Sequence, residues 1–150
     1  MKRSWASLFI IVTLSIGACA TEETETTTPE SAGTMVAELI STDLIEGDGD
    51  VAETGNSVRV HYTLWFYDAE QEDGRGQLLQ TSKNGETGYS FTLGQGRVIP
   101  GWDQGVPGMK VGGTRELIIP HRLAYAERGW GTDIPPNTDL IFEIELLEIQ

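Results

Sequence analysis

Histidine and cysteine, which often act as catalytic groups or metal ligands, number only two and one in this chain and stand far apart. His61 and His121 have no neighbouring cysteine or paired carboxylate motif of the kind that binds a metal. Asp48 and Asp50 lack the spacing and the final glutamate of an EF-hand loop, and they are typical of a turn. No serine occupies a nucleophile-elbow motif, and the glycines of LGQGRVIPG have neither P-loop nor dinucleotide-binding spacing. We therefore predict no metal, no cofactor and no covalent nucleophile.

Aromatic side chains are instead concentrated around one unusual segment. GRVIPGWDQGVPGMKVGG, residues 96–113, places Trp102 among glycines and prolines and contains no Ser, Cys or His. One interpretation is an ordinary hydrophobic core, to which Phe91 is assigned. The other is a concave apolar pocket with a few polar groups, which is the usual form of a small-ligand site. The residues concerned are Tyr62, Tyr89, Phe91, Trp102, Tyr125, Trp130 and Phe142, with Val98, Ile99 and Ile134 nearby.

Short strands are predicted to position these residues. In VRVHYTLWFY, apolar side chains recur at every second position from Val58 to Phe66, as a half-buried strand requires. YSFTLG, TRELIIP and DLIFEIELLEI are further strand candidates, and the last of these loses its alternation near its end. The polar, acidic segment YDAEQEDGRG, residues 67–76, is predicted to be a loop.

One short helix fits the chain, within VIPGWDQGVPGM. It is expected to begin at Pro100, because a proline in the first helical turn sacrifices no hydrogen bond, and Pro107 and Gly108 are expected to end it. A single short helix against an antiparallel sheet gives an α+β fold. Residues 35–150 are enough to form one such domain with its own core.

Residues 1–34 are not expected to belong to this domain. Residues 1–18 have a basic start, an apolar run too short to span a bilayer and small residues before Cys19, which is the layout of a secretory signal peptide. The segment LSIGAC resembles a bacterial lipobox, and this resemblance implies cleavage before Cys19 and acylation of its sulfur. An ordinary signal peptide with an incidental cysteine is the alternative. The acidic, Thr-rich residues 19–34 are predicted to form a disordered tether.

Acyl chains on Cys19 would anchor the protein to a membrane. Ala20 stands where Asp signals inner-membrane retention in many Gram-negative lipoproteins, so the same resemblance implies an outer-membrane location in the bacterial cell envelope, facing the periplasm. The formal net charge of −13 argues against nucleic acid as a partner, because phosphates repel an acidic surface. Plain solubility is an equally compatible meaning of that charge.

Three segments carry a family resemblance. VRVHYTL, FTLGQGRVIPGWDQGVPGMKVGG and LAYAERGWGTDIPPNTDLIFEIELLEI resemble the macrolide-binding, FKBP-type peptidyl-prolyl isomerases, from about Leu39 to Gln150. The fold this implies is a bent antiparallel sheet wrapped around one short helix. The implied partners are proline-containing polypeptides, with macrolides as possible inhibitors.

The resemblance also implies roles for individual residues. Trp102 would form the floor of the pocket, the Ile99 N–H would donate to a substrate carbonyl, and the Tyr125 hydroxyl would donate to the carbonyl before the proline. Val98 would form a wall, and Trp130 would occupy a flap position that varies in the family. The remaining implied lining consists of Tyr62, Tyr89, Ile134 and Phe142.

The chain also departs from the family pattern. The family's FDSS motif is matched by LLQTS, so Leu79 and Gln80 stand where a pocket Phe and an Asp are usual. AYG is replaced by AYA at Ala126, which is unfavourable if that position needs a positive φ. YTG is replaced by YTL at Leu64.

Two functional hypotheses follow from this resemblance and these departures. The first is a prolyl isomerase that assists the folding of exported proteins. The second is an envelope-anchored proline-peptide binding module or holdase chaperone that keeps the pocket but has weak or no isomerase activity.

Overall fold

The computed structural model describes residues 35–85 and 87–150. The predicted signal peptide (residues 1–18), Cys19 and the tether (residues 19–34) lie outside the described residues. Within the ranges that are described, no helix has both the length and the apolar character needed to cross a bilayer.

Six antiparallel strands form one sheet, and one short helix packs against it. Along the sheet the order is β1-β5-β6-β2-β3, and β4 pairs with β2. The α+β prediction, with its antiparallel sheet and single short α-helix, is therefore confirmed. The elements are β1 (Ile40–Ile45), β2 (Ser57–Tyr67), β3 (Arg75–Thr81), β4 (Tyr89–Thr92), α1 (Pro100–Gly105), β5 (Thr114–Ile119) and β6 (Leu140–Ile149), with 3₁₀ turns at His121–Leu123 and Ala126–Arg128.

The central strands are those with the clearest alternation in the sequence. β2 pairs with β6 along most of its length, from Val58 opposite Ile149 to Phe66 opposite Leu140. Alternate side chains of both strands are removed from water, which is the main favourable term in folding. The core therefore lies between this part of the sheet and α1.

Two glycines allow α1 to lie close to β5. A Cβ atom placed on Gly101 would be 2.5 Å from Ile119, and one on Gly105 would be 2.7 Å from Leu117. Because real carbon atoms do not approach so closely, only glycine permits this helix position. The close contact fixes Trp102, which lies between the two glycines, relative to the sheet.

Three features differ from the sequence-based expectation. β1 and β3 were not recognised as strands, and the prediction of a loop over residues 67–76 is wrong at its end, because β3 already begins at Arg75. Every residue of β1 is exposed, so the strand carries no alternation.

The lost alternation near the end of β6, which the sequence already showed, has a specific cause. The register steps from Arg59–Glu148 to Val60–Leu146, which leaves Leu147 as an extra residue in a β-bulge.

Candidate active site

A cavity of about 550 Å³ lies between α1, the adjoining sheet and the segment around Tyr125. Its size is within the range of small-ligand sites. The helix, four strands and three loop segments all contribute to its wall. The lining residues are Tyr62, Leu64, Gln80, Tyr89, Arg97, Val98, Ile99, Pro100, Trp102, Ala124, Tyr125, Trp130 and Phe142.

Trp102 borders the cavity although only 4% of its surface is exposed. The rings of Tyr62 and Phe142 meet the indole edge-on, with centroids 5.3 and 5.2 Å away, and Phe91 lies at 5.3 Å on a tilt. Such edge contacts between aromatic rings add to the free energy of simple burial. The indole is therefore held rigidly by its neighbours. Its Nε1–H has no hydrogen-bond partner among the residues described.

The loop before α1 is held by one carboxylate. Asp103 accepts hydrogen bonds from the backbone N–H groups of Gly94 and Gly96, at 2.8 and 2.9 Å. Both glycines have positive φ values, 76° and 65°, which other residues adopt at a cost. This clamp fixes the path of the chain that leads into Val98 and Ile99.

Ile99 contributes a free donor at the cavity. Its carbonyl accepts from the N–H groups of Trp102, at 2.9 Å, and Asp103, at 3.4 Å, at the start of α1. Its own N–H has no acceptor in the described part of the chain. Because Ile99 is only half-buried and lines the cavity, a ligand carbonyl can satisfy this donor.

Tyr125 lies in the short segment between the two 3₁₀ turns. Its ring packs on Trp130, with centroids 5.3 Å apart. Burial raises the pKa of the Tyr125 hydroxyl above its usual value, and the nearby Tyr62 and Tyr89 act in the same direction. The hydroxyl therefore stays protonated at neutral pH and can donate a hydrogen bond.

Ala126, the residue after Tyr125, adopts a left-handed backbone conformation with φ of 49°. Its carbonyl accepts a 2.8 Å hydrogen bond from Asn137 N–H, which ties the Tyr125 segment to the loop before β6. The position does need a positive φ, as the glycine in the family motif suggested.

The structure brings most of the sequence-predicted site residues to this cavity. Those that line it are Tyr62, Gln80, Tyr89, Val98, Ile99, Trp102, Tyr125, Trp130 and Phe142. Leu79 and Ile134 do not line it. Leu79 is the extra residue of a bulge, since Leu64 pairs with Gln80 and Trp65 pairs with Leu78. Ile134 is buried in the core and supports Trp130 through a backbone bridge. Cys19, the predicted lipidation site, lies outside the described residues.

Four lining residues were not predicted as part of the site: Leu64, Arg97, Pro100 and Ala124. Leu64 lies two positions after Tyr62 in β2, so strand periodicity placed both on the same face. Arg97 and Pro100 flank the predicted pair Val98–Ile99. Only the turn conformation decides that these two residues also line the cavity, and the sequence carried no signal for it.

Comparisons with known proteins agree with this fold and cavity. Residues 49–147 match the model of a family described as FKBP-type peptidyl-prolyl cis-trans isomerase. An FK506-binding protein of Streptomyces anulatus is 47% identical over 118 residues, which cover 78% of this chain and 90% of that protein. Peptidyl-prolyl cis-trans isomerase FPR2 of Saccharomyces cerevisiae is 45% identical over 105 residues, covering 66% of this chain and 69% of that protein. The crystal structure of AtFKBP13 has a TM-score of 0.64 and 32% identity, and covers 79% of this chain and 98% of that one.

Proposed function

This chain belongs to the family of FKBP-type peptidyl-prolyl cis-trans isomerases, and we propose that the cavity around Trp102 binds an X-Pro segment and accelerates its rotation without a covalent step. The observation that carries the proposal is an apolar, indole-floored cavity with an unsatisfied backbone donor, the Ile99 N–H, at its wall. Among the lining residues there is no serine, cysteine or histidine. Rotation about a peptide bond needs no nucleophile and no general base.

The energetic demand on such a site is modest. The rotational barrier of a peptide bond is about 18–20 kcal/mol, because amide resonance must be broken. Each ~1.4 kcal/mol removed from the barrier raises the rate tenfold, so a useful enzyme needs to remove about 4–8 kcal/mol. The planar amide is the more dipolar state, and an apolar cavity therefore disfavours it relative to the twisted transition state.

Two donors can hold the substrate while the bond turns. The Ile99 N–H binds one substrate carbonyl, and the protonated Tyr125 hydroxyl binds the carbonyl that precedes the proline. The prolyl ring then packs over Trp102, between the rings of Tyr62 and Phe142. This arrangement fixes one side of the bond and leaves the other free to rotate, which is the requirement for catalysis by orientation.

The same cavity is proposed to bind FK506-type macrolides. Relatives of this chain are named FK506-binding proteins. A macrolide that presents a prolyl-like ring and carbonyl groups would meet the same Ile99 and Tyr125 donors, so it should compete with peptide substrates. A titration in which the Trp fluorescence does not change at micromolar macrolide would contradict this part of the proposal.

The second candidate function, a binding module or holdase with little catalysis, is favoured by one observation. Gln80 lines the cavity at the position where the family motif has Asp, and it carries no charge. If the missing carboxylate limits catalysis, the double substitution Leu79→Phe, Gln80→Asp should raise the isomerase rate strongly. An unchanged rate would favour the working enzyme.

We further propose that the protein is anchored in the bacterial envelope through acylated Cys19, at the outer membrane facing the periplasm, where its substrates would be exported proteins. The lipobox-like LSIGAC and Ala20 support this proposal. Mass spectrometry of the mature N-terminus would test it, with Cys19→Ser as the control. An unmodified cysteine in membrane-free protein would contradict it.

Isomerase activity is tested by exchange NMR on a short X-Pro peptide with catalytic amounts of protein. Trp102→Ala and Tyr125→Phe are the matched variants, and we expect the first to lose most activity and the second to lose part of it. A soluble fragment for this assay must retain Val36 and Ala37. The N–H of Val36 donates to buried Asp139 at 2.7 Å, and Arg122 donates to the Ala37 carbonyl at 2.5 Å.

A further inference from the structure

One charged side chain stands at the wall of an otherwise uncharged cavity. Among its lining residues only Arg97 carries a formal charge. The residue opposite Leu64 in β3, where the family motif has Asp, is the neutral Gln80. Arg97 is exposed and makes no ion pair with any carboxylate that the structure describes. The carboxylate on the same loop, Asp103, is taken up by the N–H groups of Gly94 and Gly96.

Arg97 shares this lack of a carboxylate partner with Arg122 and Arg128 among the described cations, but neither of those two lines the cavity. Acidic residues outnumber basic ones, 23 to 10. Most described cations are accordingly paired with carboxylates: Arg59 with Glu148, Arg75 with Glu116, Lys83 with Glu143, Lys110 with Glu46 and Arg115 with Asp43. An unpaired guanidinium beside the substrate cavity is therefore available to a ligand.

Arg97 also borders a second, polar groove that adjoins the cavity. The groove has a volume of about 520 Å³, and its lining residues are Ser57, Tyr89, Ser90, Phe91, Thr92 and Arg97. Arg97 and Tyr89 line both spaces and so form the boundary between them. A polypeptide whose proline sits over Trp102 can continue into this groove, because the two spaces meet at Arg97 and Tyr89.

We propose that the groove is a specificity subsite that selects substrates with a carboxylate side chain within three residues of the proline. This inference rests on the proposed function and names its substrate class. A guanidinium offers a planar set of donors that matches a carboxylate. The neutral amide of Gln80 leaves no acidic group on the cavity wall to oppose such a substrate.

The test is a set of X-Pro peptides that carry Glu, Gln or Lys in turn at each of the three positions on either side of the proline. Dissociation constants by calorimetry and kcat/KM by exchange NMR are measured on the full-length protein in detergent. The wild type should prefer Glu over Gln at one position or more by roughly 1.5- to 5-fold, the range of exposed ion pairs. The preference should shrink as ionic strength rises.

Arg97→Gln should remove the Glu preference, and Arg97→Glu should replace it with a preference for Lys. Arg128 is an exposed arginine that lines neither space. Arg128→Glu is the matched control, because it changes the net charge by the same amount as Arg97→Glu. It should leave the Glu-to-Gln ratio unchanged. A Glu-to-Gln ratio near one at every position in the wild type would overturn the inference. So would a ratio that Arg97→Glu and Arg128→Glu change to the same extent. Because peptide affinity is measured separately, this result can be told from an absence of isomerase activity.

Discussion

Replacement of Ala126 by glycine should stabilise the domain. Ala126 has φ of 49°, and Asn137 N–H binds its carbonyl at 2.8 Å, so the surrounding chain holds the left-handed conformation in place. An L-residue with a Cβ atom is less stable there by about 1–2 kcal/mol. Glycine adds freedom to the unfolded chain, which offsets about 0.4–1 kcal/mol. The net gain in the free energy of unfolding should be about 0.5–1 kcal/mol.

Urea denaturation followed by tryptophan fluorescence measures this difference. With an m-value of roughly 1.5 kcal/mol/M, the midpoint should rise by about 0.3–0.7 M at an unchanged slope. Ala69→Gly is the control, because Ala69 is an exposed loop alanine without a positive φ. It should show only the loss expected from a more flexible unfolded chain. If Ala126→Gly lowers the midpoint as much as the control does, the left-handed conformation at Ala126 is wrong.

Three other substitutions test separate parts of the structure. Asp103→Ala removes the acceptor of two exposed loop N–H groups, which water can replace in part. It should lower the free energy of unfolding by about 0.5–1.5 kcal/mol and raise KM more than it lowers kcat. A stability equal to wild type would contradict the clamp. Hydrogen bonding and ion pairing with Lys83 lower the pKa of Glu143, so its stabilisation is present above the unfolded pKa and is lost as pH falls through the lower folded value. Glu143→Gln should therefore lose stability relative to wild type at pH 7 but not at pH 2, and a pH-independent difference would refute this. Gly105→Ala forces a methyl group against Leu117 and should lower the free energy of unfolding by about 1–3 kcal/mol. The helix should also be displaced and the peptide affinity reduced. An unchanged thermal denaturation midpoint would count against the close packing.

Local patterns in the sequence were sufficient for the centre of the fold. β2 and β6 are half-buried strands whose inner side chains recur at every second residue, and that periodicity is visible without any tertiary information. Pro100 marked the start of α1 because proline is suited to the first helical turn. These elements were predicted because their signals depend on near neighbours in the chain.

The outer strands were missed because their positions depend on partners elsewhere in the chain. β1 has no buried residue, and its identity comes from pairing with β5 alone. β3 contains register shifts opposite Trp65, so its side chains do not alternate regularly. No local pattern encodes either feature.

The site was predicted mainly through resemblance, and the residues that were missed show what resemblance leaves out. Leu64 could have been found from the periodicity of β2, since it shares a face with Tyr62. Arg97 lines the cavity because of the turn that Asp103 stabilises, which is a tertiary contact. Leu79 was expected in the lining, but a bulge in β3 keeps it away from the cavity.

Exchange NMR of an X-Pro peptide tests the central claim most directly. Folded wild-type protein at catalytic concentration should bring cis–trans exchange from the uncatalysed scale of tens to hundreds of seconds into the range of seconds or faster. Excess macrolide should return the exchange rate to the uncatalysed value. An uncatalysed rate in the presence of correctly folded wild-type protein would contradict the proposal that the cavity floored by Trp102 stabilises the twisted amide.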